Sequence, residues 1–135
     1  MTPPGLAQAS ALVFLGGGFG AWARLMTGRL WNALIGPVAL AGFPYATLSA
    51  NVLGSLAMGL LTGWLARHGQ GGEAWRLLLG VGILGGYTTF SSFALEFALF
   101  VERGQLGLAA AYVGISLAAG FLSLFAGLYV MRSLG

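Results

Sequence analysis

Long apolar runs, separated by isolated charged residues, set the pattern of this chain. Charged side chains are absent from Met1 to Ala23, from Trp31 to Ala66, from Leu77 to Leu95 and from Gly104 to Met131. A bilayer core about 30 Å thick is crossed by about 20 helical residues. Four runs of this kind predict four transmembrane helices, over about Leu6 to Leu30, Tyr45 to Arg67, Glu73 to Glu102 and Leu106 to Arg132. Gly36-Pro37 and Gly42-Phe43-Pro44 punctuate the first connection, HGQGG the second, and Gly104 marks the third. A single four-helix transmembrane domain over residues 1–135 accounts for the pattern. No soluble domain, low-complexity segment or repeat of the two halves is visible.

Small and polar residues recur along the predicted helices at helical spacing. Gly16 and Gly20 form a GxxxG, and Gly20, Arg24 and Gly28 continue that face. Thr47, Asn51, Ser55, Gly59 and Gly63 recur every four residues in the second helix. Small residues let membrane helices approach closely, so the glycines read as packing positions. Asn51 has two readings. An amide at bilayer depth is a polar clamp between helices, or a donor in a pathway. In the fourth helix Tyr112, Ser116 and Gly120 share a face, with Ser123 close by. Hydroxyls there either bond their own helix carbonyls or form part of a polar lane.

The third helix contains GGYTTFSSFALE, Gly85 to Glu96. The glycine pair weakens the helix, and the hydroxyls of Thr88 and Thr89 compete for backbone. A break there is expected. Carbonyls freed at membrane depth cannot face lipid, and they suit a cation. Phe90, Phe93, Phe97 and Phe100 follow at i, i+3, i+7 and i+10. They form either an aromatic packing seam or, in part, a row of positive ring edges that could touch an anion.

Composition narrows the chemistry. The chain is 58% hydrophobic and 7% charged, with mean hydropathy +0.88, so it cannot make a soluble surface. It has no Cys, Asp or Lys and one His, His68. Thiolate sites are excluded, and an enzyme or a side-chain metal site is not expected. A net charge of +3 without a basic cluster gives no nucleic-acid surface. GGGFGA matches G-x-G-x-x-A at Gly16, Gly18 and Ala21, but no strand precedes it and no acid follows at the required distance. A cleaved signal peptide is not expected, because the N-terminal segment lacks a basic start.

The arginines bear on topology. Arg67, Arg76 and Arg132 fall on the side of the termini, and Arg24, Arg29 and Arg103 on the other. Three against three leaves no bias for the positive-inside rule to act on. Insertion in both orientations is expected, and with it an antiparallel homodimer. A second copy would also give the polar residues at membrane depth a shared interface. The other possibility is that assisted insertion sets one orientation.

Taken in order, GGGFGAWARL, TLSANVLGSLAMG and GILGGYTTFSSFALE resemble the motifs of the Fluc (CrcB) family of fluoride channels, and the likeness runs along essentially the whole chain. The resemblance implies a dual-topology dimer in a bacterial plasma membrane, with two fluoride pathways that relieve fluoride toxicity. It implies that Phe90 and Phe93 are the paired pore rings and Asn51 the pore amide. Gly85 and Thr88 carbonyls would hold a central structural sodium ion. Tyr112 and Ser116 match a polar track, Glu96 a glutamate close to the pore, and Arg24 an arginine near the aqueous mouth. Thr89, Ser91 and Ser92 would add hydroxyl donors. One position departs: a further hydroxyl is expected where this chain has Gly120, so that either Ser123 substitutes or the track ends in water. The implied partners are fluoride, sodium, the lipid bilayer and a second copy.

Two other functions fit four short helices. A proton-coupled multidrug exporter needs a central acid, yet helices one, two and four have none and Glu96 lies past the middle of helix three. A non-transporting membrane scaffold would use every stripe for packing. The arginine balance gives the first prediction. Single cysteines at Gly71 and Gly104 should each be labelled from both faces of the membrane. Labelling of each from one face only, and from opposite faces, would overturn the antiparallel arrangement.

Overall fold

The computed structural model describes residues 3–68 and 72–134. The middle of the HGQGG connection, with Gly71, lies outside the described residues, as does the side chain of His68. All regular structure described is helical: α1 (Leu6–Gly42), α2 (Tyr45–His68), α3 (Gly72–Trp75), a π-helical segment (Arg76–Leu84), α4 (Gly85–Tyr87), α5 (Phe90–Glu102) and α6 (Leu106–Ser133). Four stretches among these residues are long and apolar enough to cross a membrane: Leu6–Gly42, Tyr45–Arg67, Gly72–Glu102 and Leu106–Ser133. Such segments coil because hydrocarbon offers no partner for a free N–H or C=O.

The first helix differs from expectation. It does not stop near Leu30 but continues to a kink at Gly36 (φ 78°, ψ 166°), then resumes over Pro37 to Gly42. The left-handed turn needs glycine, and proline fits the first position of the new helical turn. The punctuation therefore bends a helical connection instead of opening a loop. Phe43 ends it, with its N–H on the Ala39 carbonyl at 3.3 Å.

Two glycine seams bring the spans together. On α1, Gly16 lies where a Cβ would be 2.5 Å from the Leu78 carbonyl, and Gly20 rests on the Ile83 carbonyl. Gly82 and Gly86 return the contact from the third span, on Gly16 and Gly17. The π winding, with the Gly85 N–H reaching back to the Gly80 carbonyl, lies along this seam. Between α2 and α6, Gly59 sits against the Leu124 carbonyl and Gly127 against Leu56 and Leu60. A Cβ on Gly63 would meet the Met131 side chain at 2.6 Å. The core joins Phe100, Ala109 and Tyr112, with Phe43, Leu48 and Phe93 against them.

The seam yields a contrast between two glycines. Gly59→Ala pushes a methyl into backbone and should cost about 1–3 kcal/mol. Gly114 faces nothing within 4 Å, so Gly114→Ala should be neutral or slightly stabilising. Unfolding midpoints in detergent compare the two, and equal midpoints would mean that the α2–α6 seam does not hold the fold.

Candidate functional site

The third span is interrupted after Tyr87. Thr88 (φ −80°, ψ 158°) and Thr89 (φ −153°, ψ 124°) are extended, and α5 starts at Phe90. An interruption at this depth must find other partners for its backbone. Asn51 supplies them from α2. Its Oδ1 accepts from the Thr89 N–H at 2.8 Å, and its Nδ2 donates to the Thr89 carbonyl at 3.0 Å. The amide thus pairs with Thr89 as a neighbouring strand would. Thr89 then caps α5, its Oγ1 accepting from the Ser92 N–H at 3.2 Å. Thr88 turns its hydroxyl back to the Leu84 carbonyl at 2.8 Å.

A cavity of about 320 Å³ opens beside this clamp. Its lining includes Asn51, Thr88, Thr89, Phe90, Phe93 and Ser116. Ser55 and Gly120 also line it. Ser116 Oγ is buried there without a hydrogen-bond partner. Ser91 and Ser92 stand beside Thr89, with Oγ contacts at 3.3 and 3.2 Å, but outside the cavity lining.

Phe93 connects the cavity to a second polar group. Its ring lies 5.1 Å from the Tyr112 ring, centroid to centroid. The Tyr112 hydroxyl donates to Glu96 Oε2 at 2.6 Å, and Thr47 Oγ1 donates to Glu96 Oε1 at 2.6 Å. Both carboxyl oxygens are therefore engaged, from two different helices. Glu96 and Thr47 also line a second cavity of about 310 Å³, with Arg103 and Phe100. Arg24 lines neither cavity and, among the described residues, makes no ion pair; it stays half-buried on α1.

The phenylalanine stripe divides. Phe93 and Phe100 pack on Tyr112, and Phe100 is 4% exposed. Phe90 is 79% exposed and Phe97 37%. The four rings do not form one seam. At 3.6 residues per turn, the members seven apart keep company, so the stripe straddles the edge of the α6 contact. Phe90 still touches its neighbour, 5.8 Å from the Phe93 ring. Ser123, the expected substitute for a hydroxyl at 120, lines none of these cavities, whereas Ser55 does. The signal for Ser55 lay in the sequence, one turn beyond Asn51 on the same face.

Residues 11–128 match the family model described as "CrcB-like protein, Camphor Resistance (CrcB)". The chain belongs to the CrcB family. Relatives include a protein of Novosphingobium aromaticivorans named "Fluoride-specific ion channel FluC", 57% identical over 92% of this chain and 96% of its own length. Proteins of the same name in Sphingopyxis alaskensis and Phenylobacterium zucineum are each 52% identical, over 90% and 93% of this chain and 94% and 96% of their own lengths. With four membrane-capable helices and bacterial relatives, this CrcB member is a multi-pass protein of the bacterial plasma membrane.

The clamp makes Asn51→Asp informative for the CrcB chain. A carboxylate keeps the acceptor for the Thr89 N–H but turns a second acceptor on the Thr89 carbonyl. Stability should fall by about 1–3 kcal/mol. Thr62→Ala, at an exposed position of the same helix, should stay within about 0.5 kcal/mol of the parent. Unfolding in detergent measures both, and an unchanged Asn51→Asp midpoint would remove the clamp from the list of stabilising contacts.

Proposed function

We propose that this chain is a fluoride-selective anion channel, a non-enzymatic transporter that lets fluoride leave the cell down its electrochemical gradient. The observation that carries the reading is the cavity at the break. It gathers Asn51, Thr89, Phe90, Phe93 and Ser116 in a chain whose relatives are named for fluoride conduction. Fluoride is small and strongly hydrated, so a pathway must replace its water with N–H and O–H donors. The clamp uses one of the two N–H groups of the Asn51 amide. Ser116 offers a hydroxyl with no internal partner. Ring edges of Phe90 and Phe93 add weak positive contacts in a narrow space.

The assembly proposed is an antiparallel dimer with two pathways. The balanced arginines support it, and so does Phe90, a ring left largely uncovered beside polar threonines. A central sodium ion would sit on Gly85 and Thr88 carbonyls from the two copies. The fit rests on the extended link, which takes Thr88 out of the helical run, while its own hydroxyl is spent on Leu84. No cluster of three or more acidic, His or Cys side chains able to hold a metal occurs among the described residues, and backbone carbonyls are ligands suited to a hard cation such as sodium. The exporter reading is disfavoured because two hydroxyls already occupy the Glu96 carboxyl oxygens.

Proteoliposomes loaded with fluoride test the reading. Fluoride efflux without proton coupling is expected, and slower efflux or a lower melting point after sodium is replaced by a large organic cation. Phe90→Ile removes the quadrupole at an exposed ring and should slow efflux by about tenfold or more, as should Phe93→Ile, while Phe97→Ile should be mild. Phe100→Ile is uninformative about the pathway because it cuts into the core. Proton-coupled movement of organic cations would favour an exporter, and no flux at all a scaffold. Equal flux in the Phe90 and Phe97 variants would remove the ring-edge mechanism.

A further inference from the structure

Several hydroxyls in this chain are bonded to nearby backbone carbonyls. Thr27, Ser49, Thr88 and Ser133 each donate to a carbonyl three or four residues back along the chain. That is the ordinary resting place of a hydroxyl in a membrane helix. Ser116 departs from it: its buried Oγ has no partner. Ser55, half-buried on α2, likewise makes no hydrogen bond among the described residues. The two serines line the same pair of cavities, the one of about 320 Å³ at the break and another of about 230 Å³. Gly120 is common to both linings.

Gly120 is unlike the seam glycines around it. At Gly59, Gly63 and Gly127 an added Cβ would run into α6 or α2. At Gly120 it would meet only Ser55 Oγ, at 3.7 Å, an ordinary contact. Close helix approach therefore does not require glycine here. What the missing side chain does is leave room in front of the Ser55 hydroxyl. The rest of the smaller cavity wall is apolar: Leu117, Phe121 and Leu124. A buried polar atom such as Ser116 Oγ costs free energy unless something accepts its hydrogen bond.

We propose that Ser55 is a further hydrogen-bond donor of the fluoride pathway, offering its hydroxyl from α2 across the gap at Gly120 and together with Ser116 from α6. Position 120 continues the face of Tyr112 and Ser116 but carries no donor, and Ser55 takes that part from the opposite helix. Two hydroxyls on facing helices, neither tied to a carbonyl, can both turn toward one small anion. A hydrogen bond to a charged group is strong, so loss of one donor should be visible in transport. The proposal rests on the fluoride reading above and adds a donor to it.

Fluoride efflux from proteoliposomes tests it through a swap. Ser55→Ala should slow efflux about tenfold with an unchanged melting point. Ser55→Ala combined with Gly120→Ser moves the hydroxyl to α6, into space that admits it, and should recover efflux to within about threefold of the parent. Should the alanine variant fail to fold, Ser55→Cys keeps the volume with a poor donor and should show the same loss and the same rescue. Parent-like efflux in Ser55→Ala, or a folded double variant no faster than the single one, would overturn the role of Ser55 alone. A parent chain that moves no fluoride would overturn the fluoride reading and this proposal with it.

Discussion

The pair of hydrogen bonds between Asn51 and Thr89 holds the rest of this molecule in place. An extended dipeptide inside a membrane span leaves backbone groups that hydrocarbon cannot satisfy, each at a cost of several kcal/mol. A carboxamide presents one carbonyl and an N–H in the geometry of a peptide group. Asn51 therefore acts as a one-residue strand, with bonds of 2.8 and 3.0 Å to Thr89. An ionised aspartate at that position would keep the acceptor and lose the donor. Once Thr89 is pinned, its side chain caps α5, and the first turn of α5 carries Phe90 and Phe93 into the same cavity.

The glycine seams make the clamp possible. Asn51 reaches Thr89 only because α2 and the third span lie close. A Cβ on Gly54, one turn below Asn51, would collide with the Thr88 methyl. α1 and α6 close the two sides by the same device, with Gly16, Gly20 and Gly86 on one seam and Gly59 and Gly127 on the other. Packing without side chains is worth more in lipid than in water, because apolar area gives little net driving force between membrane helices. The break is thus enclosed by contacts that depend on what the residues lack.

Much of this was legible in the residues, and the misses have physical causes. The spans follow from charge-free runs, which need only length and hydropathy. Gly85 and Gly86 stay helical, and the extended link falls instead on Thr88 and Thr89, whose hydroxyls compete for backbone. The end of α1 was misread because Gly-Pro permits both a loop and a kink, and only the neighbouring chain decides between them. The π winding over Arg76–Leu84 has no distinct period that a reader could detect in so few residues. The division of the phenylalanine stripe was hidden because spacing defines a face but not the partner that will cover it. Ser55 shares its face with Thr47, Asn51 and Gly59, and spacing alone does not say which members of a face are left without a partner.

Donor accounting separates residues that sequence placed on one lane. A hydroxyl has a single proton to give. Tyr112 gives its proton to Glu96, and so does Thr47, at 2.6 Å each. In that state neither can donate to an anion. Their effect is indirect: from α2 and α6 they hold the Glu96 carboxyl group in place. Ser116 is the opposite case, a buried hydroxyl with its proton uncommitted. Thr89 is intermediate, since its oxygen accepts from the Ser92 N–H while its proton goes to Ser92 Oγ, with Ser91 Oγ at 3.3 Å. The cavity at the break therefore carries the uncommitted hydroxyl of Ser116 and no basic side chain, whereas the second cavity joins the engaged Glu96 carboxyl group to Arg103.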